Sequence, residues 1–288
     1  MRFLSLLACV LIALPAGADI VVTDFQQREV RLAEPARRIV ALAPHIVENV
    51  FSAGAGDQLV GVVTYSDYPE QAATIPVVGT YKSWSLESIA LRQPDLILMW
   101  ASGNGLNHLP ALTRLGVPVY VSEPRELDDI PGAIRSIGKL AGTEDASEAE
   151  ARRIEQRFAA LEGQYRDRET VSVLYQVWND PLQTVNGDHL ISRVLELCGA
   201  RNVFSDALSL APKISVESVL HRNPDAIIAS GMGESRPEWL DQWAAYPSLS
   251  AVQRNALFFV HPDHIQRSTA RVLEGTTRIC EQLDTLRE

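Results

Sequence analysis

The sequence lacks what a membrane-spanning or nucleic-acid-binding chain needs. After its first eighteen residues no uncharged run approaches the roughly 20 apolar residues of a bilayer crossing. It has no block of basic residues, and its formal charge is −10 at pH 7. That balance excludes the basic footprint of a nucleic-acid or anionic-lipid binder. Enzyme signatures are missing too: no P-loop, no G-x-S-x-G elbow, no H-E-x-x-H, and no dinucleotide glycine fingerprint after a strand. Cysteine is scarce, three residues in 288, with neither a C-x-x-C redox pair nor zinc-ribbon spacing.

What is present begins with an export signal. Arg2 supplies a short positive region, Phe3 to Leu14 is apolar, and Ala16-Gly17-Ala18 offers the small residues of a cleavage site. The expected leader is residues 1–18, with a mature chain from Asp19. A rival is lipid attachment at Cys9, after Leu6-Leu7-Ala8, which would leave an apolar tail on the mature protein. Cleavage at Ala18 leaves Cys198 and Cys280, an even pair for an oxidising compartment. They read as one disulfide, worth roughly 4–5 kcal/mol by loop entropy; two buried thiols are the alternative. Residues 19–288 are long for one core and comfortable for two domains.

Short apolar runs alternate with amphipathic stretches. Residues 38–42, 59–63, 95–100 and 118–122 predict strands, with helices over 47–53, 86–92 and 109–115. Between residues 127 and 165 strand signals fade. Ile154, Phe158, Leu161 and Tyr165 recur at helical spacing, predicting one long amphipathic helix over 144–168 with Ser147 near its start. Alternation then resumes, with strands at 171–177, 225–230 and 257–260 and helices at 191–197, 216–222 and 269–286. The fold class expected is α/β: two three-layer lobes with mainly parallel sheets, joined by a single long helix, with a ligand cleft between them. The boundaries are 19–144, a connecting helix 145–169, and 170–288.

An internal repeat supports two lobes. Residues 85–97, SLESIALRQPDLI, align without gaps on residues 215–227, SVESVLHRNPDAI, with seven of thirteen positions identical; chance gives about one. In each copy a serine caps a helix, a glutamate lies in its first turn, and Pro-Asp stops it before a buried strand. Glu87 and Glu217 are thus paired acids, one per lobe. Each suits the positive end of a helix; together they also form twin docking points for a two-subunit partner, where charge steers orientation.

Ligands of open α/β sheets bind beyond strand carboxyl ends. Tyr65-Ser66-Asp67-Tyr68-Pro69 follows such an end, Trp100 closes another, and Tyr81 and Trp84 share that lobe. Aromatic side chains there can wall a large flat ligand or simply pack. Trp178, Trp239 and Trp243 carry the same ambiguity, the last two being explained by one helix face. His261-Pro262-Asp263-His264, with Arg267 behind, reads as polar contacts. A metal on His261 and His264 needs a third ligand from His45, His189 or an acid, and no spacing demands one.

These segments resemble a known family, the periplasmic cobalamin-binding proteins within the corrinoid and iron-siderophore class of solute-binding proteins. The matching stretches are residues 38–44, Tyr65 to Pro69, Ser85-Leu86-Glu87 through Pro94-Asp95-Leu96, 195–199, 202–204 and Ser215-Val216-Glu217. The resemblance implies a periplasmic protein, soluble after leader removal and monomeric, with no catalytic residues, cofactor or metal. It would carry cobalamin or another corrinoid to the permease subunits of an ATP-driven importer. It places ligand contacts at Tyr65, Tyr81, Trp100, Asp263, His264, Ile265, Gln266 and Arg267. It puts docking acids at Glu87 and Glu217 and a disulfide at Cys198–Cys280. Where well-known members carry second-lobe aromatics this chain has Gln183 and Ala211, with Trp178 available to compensate. The alternatives are a ferric-siderophore or haem receptor, kept open by Arg267, Tyr81 and His264, and, more remotely, a metal-dependent hydrolase.

Overall fold

The computed structural model describes residues 19–231, 233 and 235–287. The expected leader, with Cys9, lies outside the described residues. A hairpin of β1 (Ile20–Thr23) and β2 (Glu29–Leu32) comes first. It was not expected, because its alternation lasts only four residues per strand. Val22, Val30 and Leu32 bury one face, and the Asp24 carboxylate accepts the backbone N–H groups of Gln26 and Arg28 in the turn.

The first lobe runs β3 (Ile39–Ala41), α1 (Pro44–Ser52), β4 (Leu59–Val63), β5 (Val77–Gly79), α2 (Leu86–Ala90), β6 (Leu96–Trp100), α3 (Ala101–Asn104), α4 (Leu109–Thr113) and β7 (Val119–Ser122). Its strands form a parallel sheet in the order β5-β4-β3-β6-β7. The buried runs split by the period of two. Ile39, Ala41, Leu96 and Leu98 join α1 on one face; Val40, Leu42, Ile97 and Met99 meet Ile89 of α2 and Leu112 of α4 on the other.

Two helices follow in place of the single one expected. Helix α5 (Asp129–Ala141) ends at left-handed Gly142, and α6 (Glu144–Tyr165) packs back along it. At the crossing a Cβ on Gly138 would fall 2.0 Å from Ser147 Oγ, so only glycine permits this approach. Ser147, near the start of α6 as expected, is buried against α5. Helix α6 stops at Tyr165, its last apolar anchor, short of the expected 169; the residues after it are charged and have no core face to cover.

The second lobe runs β8 (Val171–Gln176), a small hairpin β9 (Trp178–Asn179) and β10 (Leu182–Gln183), α7 (Leu190–Leu197), β11 (Ala200–Asn202), α8 (Val216–Arg222), β12 (Ala226–Ala229), α9 (Ser250–Gln253), β13 (Leu257–Phe259) and α10 (Val272–Asp284). Its sheet is parallel, in the order β11-β8-β12-β13. Cys198 at the end of α7 is disulfide-bonded to Cys280 in α10. The fold is α/β with two lobes joined by one long helix. Ile154, Phe158, Leu161 and Tyr165 of α6 lie in one apolar cluster with Ile39 of the first sheet and Val173 of the second. The joint is thus packed core rather than a flexible linker.

The repeat is structural as well as textual. Ser85 and Ser215 each accept, at 3.2 Å, the N–H of the residue three positions on. Gln93 and Asn223, each before its proline, both have positive φ, 48° and 41°. Asp95 then accepts the N–H groups of Arg37 and Arg38, and Asp225 accepts that of Ser172. In both lobes the aspartate clamps the amino end of the neighbouring strand.

Candidate ligand cleft

Because both sheets are parallel, all strand carboxyl ends of a lobe open on one side. The loops after β4 and β13 meet there: Arg267 reaches Asp67 and Glu48 across the lobes, at 3.2 and 2.8 Å. Tyr65 follows β4 in a left-handed conformation, φ 65°, and is 75% exposed. Holding a bulky residue there costs on the order of 1 kcal/mol, and it leaves the phenol standing in solvent. The neighbouring Tyr68 ring lies 4.1 Å under the Arg271 guanidinium.

Trp100, at the end of β6, is half-buried and set by its neighbours. His45 meets it edge-on at 4.9 Å and Tyr81 lies 6.1 Å away. Buried Asn104 ties the group together. Its Oδ1 accepts the Trp100 N–H, while its Nδ2 donates to the carbonyls of Leu42 and Tyr81. Asn104 and His45 act on the aromatic wall by position, and no motif marks either of them in the sequence.

On the second lobe, Trp178 is partly exposed and its Nε1 donates to the Asp180 carbonyl. It pairs across the small hairpin with Gln183, which in turn donates to the Ala211 carbonyl. Of the two positions lacking aromatics, Gln183 therefore sits beside Trp178, and Ala211 is tied to Gln183. Trp239 and Trp243 ride on a 3-10 segment, residues 238–245, not on an α-helix.

The segment 263–267 divides. Ile265 is 1% exposed and packs in the core, so its side chain does not reach the cleft. Gln266 donates to Ser230 Oγ and the Gly231 carbonyl, while His264 stacks on His261 and lies 3.3 Å from Glu274. His261 Nδ1 accepts the Asp263 N–H, capping its own turn. Among the described residues no three His, Cys, Asp or Glu side chains converge as a metal site.

Arg267 and Arg271 are already engaged. Both donate to Glu48 of α1, which is 3% exposed, and both lie near Asp263, at 3.0 and 3.5 Å. Burial pulls each guanidinium down, but Glu48 together with Asp263, and Asp67 beside Arg267, more than offset this, and both stay above the ordinary arginine value. Asn49, beside Glu48, donates to the Ser268 carbonyl and adds a neutral link between the lobes.

The match to known proteins follows this geometry. Residues 39–264, both sheets included, match the family described as periplasmic binding protein. The chain belongs to the periplasmic binding protein family. A vitamin B12-binding protein of Vibrio campbellii is 34% identical over 254 residues, 88% of this chain and 92% of that one. The crystal structure of the periplasmic vitamin B12-binding protein of Vibrio cholerae superposes with a TM-score of 0.81 at 33% identity, covering 88% of this chain and 99% of that one. A periplasmic haem-binding protein of Roseiflexus sp. RS-1 gives a TM-score of 0.76 at 21% identity over 88% and 100% of the chains, a likeness of fold.

In this periplasmic binding protein Glu87 and Glu217 both sit at helix starts that follow strand carboxyl ends, and both are exposed. The Glu217 carboxyl is held below the usual range by its own backbone N–H and by Ser215.

His45 gives a pH signature. Burial, then the charge of Arg267, push it from 6.5 down to about 3. Between those values the unfolded chain binds a proton that the folded chain does not, so stability rises with pH and is lost on acidification. From pH 7 to pH 5 this histidine alone is expected to cost about 2 kcal/mol. Urea unfolding of His45→Gln should show a shallower pH dependence by that amount. An unchanged slope would mean that the imidazole is not buried neutral.

Proposed function

We propose that this protein captures cobalamin or a related corrinoid in the periplasm and delivers it to the permease subunits of an ATP-driven inner-membrane importer. The observation that carries the proposal is the aromatic set at the strand ends, Tyr65, Tyr81, Trp100 and Trp178, flanked by polar groups of the 263–267 segment. A corrin ring is broad and edged with amides, so it asks for aromatic walls and a few donors and acceptors at the rim. The relatives named as vitamin B12-binding proteins, alike over most of their length, support the same ligand. In this reading Trp178 supplies the second-lobe aromatic, and Asp263, His264, Gln266 and Arg267 supply the polar edge, with Ile265 holding the loop from beneath. The lobes are residues 19–144 and 170–288 with the joint at 145–169. The monomer docks through Glu87 and Glu217, with little closure because the joint is packed core.

Titration with cyanocobalamin is expected to show one-to-one binding with a shift in its visible bands. Tyr65→Ala and Trp100→Ala should each weaken it about tenfold, the worth of one aromatic contact of about 1.4 kcal/mol. No heat and no band shift at micromolar protein, with a haem spectrum on adding haem, would instead make it a haem receptor.

A further inference from the structure

We infer that each docking glutamate is one half of a two-part contact, the other half being an aromatic-walled cavity beside it that receives an apolar side chain of the permease. This rests on the docking role proposed above. Next to Glu87 lies a cavity of about 240 Å³ lined by Lys82, Trp84, Leu86, His108 and Ala111. Next to Glu217 lies one of about 280 Å³ lined by Leu182, Val216, Trp239, Trp243 and Tyr246. Leu86 and Val216 hold the same place in the repeat, directly before the acid. Consecutive Cα atoms are about 3.8 Å apart, so each acid stands one residue along the helix from its cavity's lining.

The remaining walls come from unrelated segments. In the first lobe Trp84 stands edge-on to His108 at 5.2 Å, and its backbone is bridged to Gly79. In the second, Trp243 is fixed by donating from Nε1 to Gln176 and lies 6.0 Å from Tyr246. Duplication of the helix explains the acids but not the rings around them; the pairing of acid with cavity has been built twice from different parts. Neither cavity shares a residue with the cleft set, and each is too small for a corrinoid yet holds one leucine- or phenylalanine-sized side chain. Two like cavities beside two like charges fit a partner with two like surfaces, each offering a cation with an apolar neighbour. The charge steers the encounter, and the buried side chain slows release.

The test is association of the mature protein with the cobalamin-importing permease–ATPase complex in nanodiscs. Ala111→Phe with Ala245→Phe, the latter also lining the second cavity, fills both spaces and should weaken association tenfold or more. Cobalamin affinity should stay within twofold. Leu86→Ser with Val216→Ser, both at partly exposed positions, should act in the same direction if the larger rings impair folding. Glu87→Gln with Glu217→Gln is the reference. If it weakens association while both cavity pairs leave it within twofold, the cavities are not contacts and the docking acids stand alone. If the glutamine pair has no effect, the docking role itself falls and this inference with it. Loss of cobalamin affinity in the cavity variants would assign the cavities to the cleft and overturn the inference.

Discussion

Replacing Cys198 and Cys280 together by alanine is expected to lower the unfolding free energy by about 4–5 kcal/mol. The bond closes a loop of 82 residues, and the open chain must be given back that loop's conformational entropy. The loop carries β11, α8, β12 and β13, three of the four strands of the second sheet. The bond itself pins the end of α7 to the middle of α10, and both cysteines are fully buried. At about 2–4 °C per kcal/mol for a protein of this size, the melting temperature should fall by roughly 10–15 °C. Urea unfolding of the alanine pair, and of the parent with and without a reductant, measures this. A change below about 1 kcal/mol would show that the unfolded chain is not restrained by the bond.

Glu48 carries the second large effect. Its carboxylate lies in the first lobe and accepts from two arginines of the second, with Arg271 bound through both Nε and Nη2 at 3.0 and 2.7 Å. Removing one member of a buried ion pair leaves uncompensated charge and costs about 3–5 kcal/mol. Glu48→Ala would leave two cations facing each other with only Asp263 and the more exposed Asp67 to balance them. The expected fall in melting temperature is roughly 10 °C. Glu48→Gln, which keeps the shape and loses the charge, should fall by a similar amount. Adding Arg271→Ala to Glu48→Ala should cost less than the sum of the single changes, because the pair shares one penalty. Melting within about 2 °C of the parent for both Glu48 variants would rule out this cluster as a support of the lobe interface.

Much of the architecture was legible in the residues. The alternation of apolar runs with amphipathic stretches gave the parallel α/β lobes, because strand and helix periods are visible within windows of ten residues. The two copies of the serine–glutamate helix and Pro-Asp strand could be aligned by eye, and their caps and clamps are equivalent in three dimensions. The first helix of the central pair is not legible: residues 129–141 have a buried face that includes Pro131 and Gly138, both of which weaken a helical signal. The first hairpin escaped for its shortness.

The site was less legible. Tyr65, Trp100 and Trp178 stand out by residue type, since large aromatics at strand ends are conspicuous in any sequence. Asn104 and His45, which hold Trp100, do not, because neither a buried hydrogen bond nor an edge-on ring contact leaves a periodic trace. The segment 263–267 looked uniform, yet Ile265 turns into the core while its neighbours face the loop.

The sequence by itself determined the fold class, the duplicated helix–strand unit, the even pair of cysteines and the two acids, since each depends on short-range pattern or on composition. Only the tertiary structure decided that Glu48 binds Arg267 and Arg271, and that Gln183 meets both Trp178 and Ala211. It alone decided that the residue before each acid lines an aromatic cavity. Glu48 and Arg271 are separated by 223 positions. A contact of that span is set by how the two sheets and the packed joint place their loops, and no local stretch of chain encodes it.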